Sequence, residues 1–225
     1  MIFYQNWRSL AAYRVRVALA MKSIPHQVVD IDLAAGAQHD PAFKAVNPQG
    51  VLPVLVIGDQ AAEPAATGTD TVLFQSMAIL EYLDEIQPSP ALLPSDPAGR
   101  ARVRGLAQIH AADVHPLLVP RVRQYLQKEA GFDDAALEAW LFRALRSGLD
   151  AIEANLVASP STGTFCHGEQ PTIADICLCS QLIAMQLFKC DASAYPTAQR
   201  IFAACQALPA FADAHPKRQP GAPAG

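Results

Sequence analysis

The chain has 225 residues, 51% of them hydrophobic and 17% charged, with a formal net charge of −4. That length suits one large domain or two modest ones with a sizeable core, and an acidic balance without any Lys/Arg run argues against a nucleic-acid surface. No apolar run nears the ~20 residues of a membrane span, the first residues read as a strand rather than a secretory leader, and five cysteines without CxxC or His spacing fit reduced thiols in a cytoplasm and no metal site.

Residues 2–5 form a short strand and 6–9 a turn. Residues 10–21 are helical, with Ala11, Val15, Ala18 and Leu19 on one face and Arg14 and Arg16 away from it. Past Pro25, residues 26–33 are a second strand, then comes a loop at 36–41 and a short helix to Val46 that ends before Asn47-Pro48. A strand–helix–strand crossover makes the first two strands parallel.

The runs 51–57 and 72–74 are rich in Val, Leu and Ile and read as a hairpin. Residues 59–71 (DQAAEPAATGTDT) widen its turn as a mobile surface insert. Pro53 lacks an N–H and belongs at a strand start or an edge, and X-Pro is the one bond that readily goes cis. A cis Leu52–Pro53 bond turns the Leu52 N–H and C=O outward as a pairing edge for a peptide-like ligand. Gln75 and Ser76 open a helix whose Met77, Ile79, Leu80 and Leu83 are apolar. Ser76 there offers a hydroxyl and bare N–H groups, which suit a carboxylate. Two readings stand: an ordinary hairpin with a capped helix, or a peptide edge beside an anion pocket. The second points to a small peptide with free carboxylates, of which glutathione is the obvious candidate.

The first domain thus spans 1–86. Residues 87–97 (QPSPALLPSDP) are proline-rich and aperiodic, a linker. From 98 to 225 only helical patterns occur: one long helix over 99–126 bent at Pro116 and Pro120, a second over 134–156 from an Asp cap, and a third over 173–187. Its start, Thr172-Ile173-Ala174-Asp175, is a capping-box variant, and it is apolar almost all round and so central. Shorter helices cover 196–206 and 209–215, and 216–225 is expected to lack order.

The segments YQNWRSLAAYRVRVAL, NPQGVLPVL, QSMAILEYLDE, LLPSDPAGRARVR, DVHPLLVPRV and YPTAQRI together resemble the zeta class of glutathione transferases, which includes maleylacetoacetate and maleylpyruvate isomerases. The resemblance implies a thioredoxin-like N-terminal domain followed by an all-helical one, an α/β plus all-α chain that works as a cytoplasmic homodimer with glutathione. It makes Ser9 the thiol-activating residue, since a hydroxyl donor and a helix N-terminus both favour a thiolate; the residue-level alternative is that Ser9 only caps the helix from Leu10. It gives Leu52, next to Pro53, the cysteinyl backbone of glutathione, Gln75 and Ser76 the γ-glutamyl end, and His39 and Gln49 the glycine end, although the residues alone read His39 as a solvated loop histidine. Arg8, His115 and Arg121 become the substrate-side residues, Arg8 as a fork donor to a carboxylate; the residue-level alternatives are a surface arginine beside an aromatic for Arg8 and a helix-packing residue for His115. Asp175 is structural, worth roughly 1 kcal/mol or more as a cap.

Departures from the family pattern are also legible. The active turn is Arg8-Ser9-Leu10-Ala11, without the second serine or the cysteine, which disfavours chemistry that needs a protein thiol. Val51 stands where a glutamine is common. Leu187 stands where an arginine is usual, and loss of that charge-assisted contact weakens a dicarboxylate by on the order of 1.5–3 kcal/mol. The expected activity is cis–trans isomerisation of a maleyl-type acid; conjugation of another electrophile and a non-catalytic ligand-binding module remain as alternatives.

Overall fold

The computed structural model describes residues 1–58 and 71–223. The insert expected at 59–71 falls outside the described residues but for Thr71, which begins a strand. The chain forms two compact units: Met1–Pro90 with the chain from Pro209 onward, and Ala91–Leu208.

In the first unit the strands are β1 (Ile2–Gln5), β2 (Gln27–Asp30), β3 (Val54–Ile57) and β4 (Thr71–Phe74), joined in the order β2-β1-β3-β4. β1 pairs parallel with β2 and antiparallel with β3, and β3 antiparallel with β4, as the crossover and the hairpin require. The helices are α1 (Leu10–Met21), α2 (Pro41–Val46) and α3 (Ser76–Ile86). Side chains alternate across the sheet. Ile2, Tyr4, Val54 and Val56 meet Phe43 and Val46 of α2 on one face, while Phe3 and Leu55 are fully buried on the other, with α1 packed on α3. β2 is shorter than the apolar run 26–33, because β1 offers it only four partners, and as an edge strand it leaves Val28 half exposed.

Two residues of α1 depart from its helical pattern. Arg14 and Arg16 were expected to face away from the core; both are buried. Arg16 is held from several sides: Nη1 donates to Gln5 Oε1 at 2.6 Å and to Asn6 O at 3.4 Å, and Nε donates to Ala214 O at 3.0 Å. Burial pulls its guanidinium down to about 10. Periodicity ranks arginine by charge alone, whereas this one lies under a turn whose carbonyls need donors.

At its other end, Lys22 is 1% exposed. Its Nζ donates to Asp84 Oδ1 at 2.9 Å, Gln87 O at 2.6 Å and Pro90 O at 2.7 Å, tying α1 to the segment after α3.

The C-terminal stretch joins the first unit through α10 (Pro209–Asp213). Residues 216–223 are ordered, contrary to the expectation for the tail: Pro216–Arg218 makes a 3-10 turn with Pro216 buried, and Gln219 Nε2 donates to Asp213 O at 2.6 Å. Among the tail prolines Pro216 opens the 3-10 turn and is buried, while Pro220 and Pro223 stay exposed. Burial, with Lys217, Arg218 and Arg16 nearby, holds His215 below its ordinary 6.5. A histidine depressed in the fold adds stability above its unfolded value, and that stability is lost as pH falls through the folded one. The C-terminal stretch is therefore expected to loosen below pH ~6.5, read as lower amide protection factors (exchange corrected for its intrinsic pH dependence) over residues 209–223 at pH 5 than at pH 8.

The second unit contains α4 (Pro97–Gln108), α5 (His115–Leu118), α6 (Pro120–Lys128), α7 (Asp134–Ala158), α8 (Ile173–Leu187) and α9 (Pro196–Gln206). The single long helix expected over 99–126 does not form. After α4 the chain widens into a π-helical segment, Ile109–Val114, and between α5 and α6 it breaks outright at Val119 (φ −67°, ψ 152°). A residue before proline is driven out of the helical region, so Pro120 ends the helix rather than bending it. α7 starts at Asp134 with an Asp cap, as expected: Asp133 Oδ1 accepts from Ala136 N at 2.8 Å. α8 is central, as its all-round apolarity predicted: Ile173 to Met185 are all buried.

Leu92 and Leu93, in the stretch expected as a linker, are buried, and Leu92 O accepts from Ile173 N at 3.0 Å. Gly148 in α7 sets a close approach: a Cβ there would lie 2.3 Å from Val114 Cγ2 and 2.8 Å from Gln181 Nε2. Gly148→Ala is expected to cost about 1–3 kcal/mol by overpacking, seen as a lower urea midpoint.

Candidate active site

The turn after β1 is built by Asn6. Its Nδ2 donates to Ile31 O at 2.9 Å, its Oδ1 accepts from Arg8 N at 3.0 Å, and its carbonyl accepts from Ser9 N at 3.0 Å. Beneath it runs a chain from the surface inward: Gln5 Nε2 donates to the exposed Asp30 Oδ1 at 3.0 Å, and Gln5 Oε1 accepts from the buried Arg16. Ser9 is thereby fixed as the N-cap of α1, with extended backbone (φ −74°, ψ 111°), and its Oγ accepts from Ala12 N at 3.1 Å. The cap consumes a lone pair of Oγ, not its proton. Capping and hydrogen-bond donation to a sulfur are therefore compatible. Arg8 is exposed, its guanidinium 5.7 Å from the Trp7 ring centroid, an arrangement that steadies a flexible side chain.

A second loop holds the peptide edge. Asn47 is buried and bonds twice to its own loop: Nδ2 donates to Val51 O at 2.9 Å and Oδ1 accepts from Gln49 N at 3.1 Å. Gly50 (φ +63°) brings the loop against the 3-10 turn Ala37–His39, so that a Cβ there would stand 3.0 Å from Gln38 O and 3.5 Å from His39 Nδ1. His39 itself is exposed. The Leu52–Pro53 bond is cis. The Leu52 side chain packs on the sheet core, while its backbone N–H and C=O pair with nothing among the described residues.

Gln75 adopts φ +67°, rare for a residue with a side chain. It is the N-cap of α3 without a side-chain cap bond, and its Nε2 donates to Gln49 Oε1 at 3.0 Å. Ser76, buried, is the first residue of α3, and no acidic residue lies in that first turn. Backbone N–H groups at such a helix start favour an anion. The first unit thus brings Gln49 and Gln75 into direct contact and sets His39 beside Gly50.

His115 and Arg121 lie in the second unit. His115 is half-buried and its ring is 5.7 Å from that of His110; Arg121 is exposed on α6. Sequence reading missed Asn6, Asn47 and Arg16. The two asparagines carried a usable signal, since Asn at a strand or helix end is a turn-building residue. All five cysteines are buried, and burial together with Asp175 pushes the Cys166 thiol well up, so the described thiols suit packing rather than nucleophilic chemistry.

This mixed sheet with its hydroxyl-capped first helix and cis-proline edge, followed by a helical unit, is the architecture of a glutathione S-transferase, and the sequence model for the glutathione S-transferase N-terminal domain matches residues 1–85. The chain is 40% identical over 220 residues to a maleylpyruvate isomerase of a Ralstonia species, covering 98% of this chain and 99% of that protein. It is 38% identical over 226 residues to the maleylacetoacetate isomerase of Pseudomonas aeruginosa, with full coverage of both. Among solved structures it resembles a maleylacetoacetate isomerase from Methylobacterium extorquens with bound malonate and glutathione (TM-score 0.92, 46% identity, 100% of each chain). It also resembles the holo form of a bacterial zeta-class maleylpyruvate isomerase (TM-score 0.91, 40% identity, 99% of this chain and 100% of that one). The chain belongs to the zeta class of the glutathione transferase family, the class of these isomerases.

Proposed function

We propose that the protein is a glutathione-dependent isomerase that converts the cis double bond of a maleyl-type keto acid, maleylpyruvate or maleylacetoacetate, to trans. The observation that carries this reading is the coincidence in one unit of a hydroxyl at a helix N-terminus, an unpaired backbone edge at Leu52 and an acid-free helix start at Ser76. It occurs in a chain that matches a maleylpyruvate isomerase over nearly its whole length.

The residues fit glutathione. The edge of Leu52 beside Pro53 takes a peptide backbone, Ser76 and the start of α3 take the γ-glutamyl carboxylate with Gln75 alongside, and His39 and Gln49 serve the glycine end. When bound, glutathione supplies the thiolate whose reversible addition frees rotation about the former double bond. The chain's own part is to hold a hydrogen-bond donor, Ser9 O–H, and the positive end of α1 at the thiol, both of which favour its ionised form. Arg8 is proposed to receive a carboxylate of the substrate; for His115 and Arg121, on the second unit, a substrate-side role is proposed from the resemblance. The protein is proposed to act in the cytoplasm as a homodimer, in the breakdown of aromatic compounds.

One observation favours a second reading. Leu187, 42% exposed at the end of α8, offers an apolar surface where the resemblance calls for arginine, which suits conjugation of a less charged electrophile. Incubation with maleylpyruvate and glutathione separates them. Glutathione-dependent appearance of the fumaryl product is expected, and none at high enzyme concentration overturns the isomerase reading. Conjugation of a generic electrophile then identifies a transferase, and retention on immobilised glutathione without any turnover identifies a binding module.

A further inference from the structure

Where α4 gives way to the π-helical segment, the His115 N–H donates to the carbonyl of His110, five residues back. In an α-helix residues five apart stand about 140° apart around the axis, five steps of about 100°, and their side chains diverge. The wider turn brings the two rings together instead, centroids 5.7 Å apart and tilted by 53°. The sequence explains the widening. Pro116 has no N–H, and its ring crowds the carbonyl four residues earlier, so the helix loosens just before it. Such π turns recur at functional sites.

His110 is fully buried, and its Nε2 lies 3.0 Å from Ser180 Oγ, itself fully buried on α8. Behind the segment α7 presses in at Gly148, whose missing Cβ leaves room for Val114. The His110 ring is thus fixed by a hydroxyl at one end and by packing all round. His115 is different: half-buried, it has one face on the His110 ring and another toward water. A buried polar pair is not needed for stability at such a site, because apolar residues of similar volume usually do at least as well.

We infer that His110 is a positioning residue for the proposed reaction. Locked by Ser180 and by the π turn, its ring holds His115 in a single orientation toward the substrate's carboxylate. This rests on the reading of His115 as a substrate-side residue. A carboxylate hydrogen bond depends steeply on donor placement, and a shift of about 1 Å suffices to lose most of its benefit.

The test is a double-mutant cycle with His110→Leu and His115→Leu in the full-length protein, assayed with maleylpyruvate and glutathione. His110→Leu is expected to raise KM for maleylpyruvate about tenfold, with kcat changed less than about twofold and glutathione affinity unchanged. His115→Leu is expected to do the same, and the double variant to be no worse than His115→Leu alone. A merely structural role would lower activity by the same factor in both backgrounds; that result, or an unchanged KM, overturns the inference. Ser180→Ala, which removes only the lock, is expected to shift KM in the same direction and serves if His110→Leu does not fold. If the wild-type protein turns over no maleyl acid, the isomerase reading fails, and the inference is read instead from the ring-nitrogen NMR signals of His115. One set of signals in wild type and two or a broadened set in His110→Leu support it; an identical His115 spectrum overturns it.

Discussion

Ser9→Ala is expected to lower glutathione-dependent turnover by about 10²-fold or more, the usual cost of one donor aimed at developing or stored negative charge, while glutathione still binds. The Leu52 edge and the start of α3 do not involve Ser9, so affinity for the tripeptide is expected to change little. The same substitution also removes a cap. Ser9 Oγ accepts from Ala12 N, and loss of an N-cap costs about 0.5–2 kcal/mol of stability. Glycine separates the two effects, because at an N-cap it costs only a few tenths of a kcal/mol yet offers no proton. Ser9→Gly is expected to lose turnover as Ser9→Ala does, with a melting temperature close to wild type. Ser9→Thr, which keeps cap and proton, is expected to retain much of the activity. A titration followed by thiolate absorbance gives the direct readout: the midpoint of bound glutathione rises toward that of free glutathione in the alanine variant. Turnover and titration both unchanged would assign activation to another group.

Much of this site is legible in the sequence, and the limits of that legibility are physical. The hairpin, the cis-proline edge and the capping box each rest on a local rule about one or two residues: Pro53 cannot donate to a ladder, and Thr172 and Asp175 close a loop of their own. The structure bears these out in place. What stays hidden depends on a third element. Arg16 looks like a surface residue until the carbonyls of Asn6 and Ala214 are placed above it. The φ of +67° at Gln75, between β4 and α3, has no local signature, since glutamine does not advertise a positive φ. The π segment fails for a subtler reason. Pro116 signals trouble in a helix, but whether the chain bends, breaks or widens depends on the packing of α7 at Gly148, far off in sequence. Pro120 instead gives a break at Val119, which it drives out of the helical region.

Asp175→Ala is expected to destabilise the fold by about 3 kcal/mol or more, well beyond the roughly 1 kcal/mol of an exposed cap. Asp175 is fully buried. Oδ1 accepts from Cys166 N at 2.7 Å, and Oδ2 accepts from Thr172 N at 2.7 Å and Thr172 Oγ1 at 2.8 Å. One carboxylate thus starts α8 and anchors the loop before it. Truncation strands two backbone N–H groups in the interior, each costing about 1–3 kcal/mol, and opens a cavity. A loss of that size is a large part of the stability of an ordinary domain and corresponds to about 10 °C in Tm.

Burial raises the Asp175 carboxyl above its ordinary 3.8, although the hydrogen bonds pull it down. A raised native value means that the stability this group adds is fully present below the unfolded value and is lost as pH rises through the folded one. Asp175 therefore does not drive acid unfolding, and the deficit of the alanine variant is expected to be no smaller at pH 4 than at pH 7. Asp175→Asn, which keeps one acceptor oxygen, is expected to lie between wild type and alanine. Urea unfolding of the three proteins at both pH values measures this. An alanine variant within about 1 kcal/mol of wild type would reduce Asp175 to an ordinary helix cap, and a deficit that vanished at pH 4 would mean that the buried carboxylate is favoured by its hydrogen bonds more than it is penalised by burial.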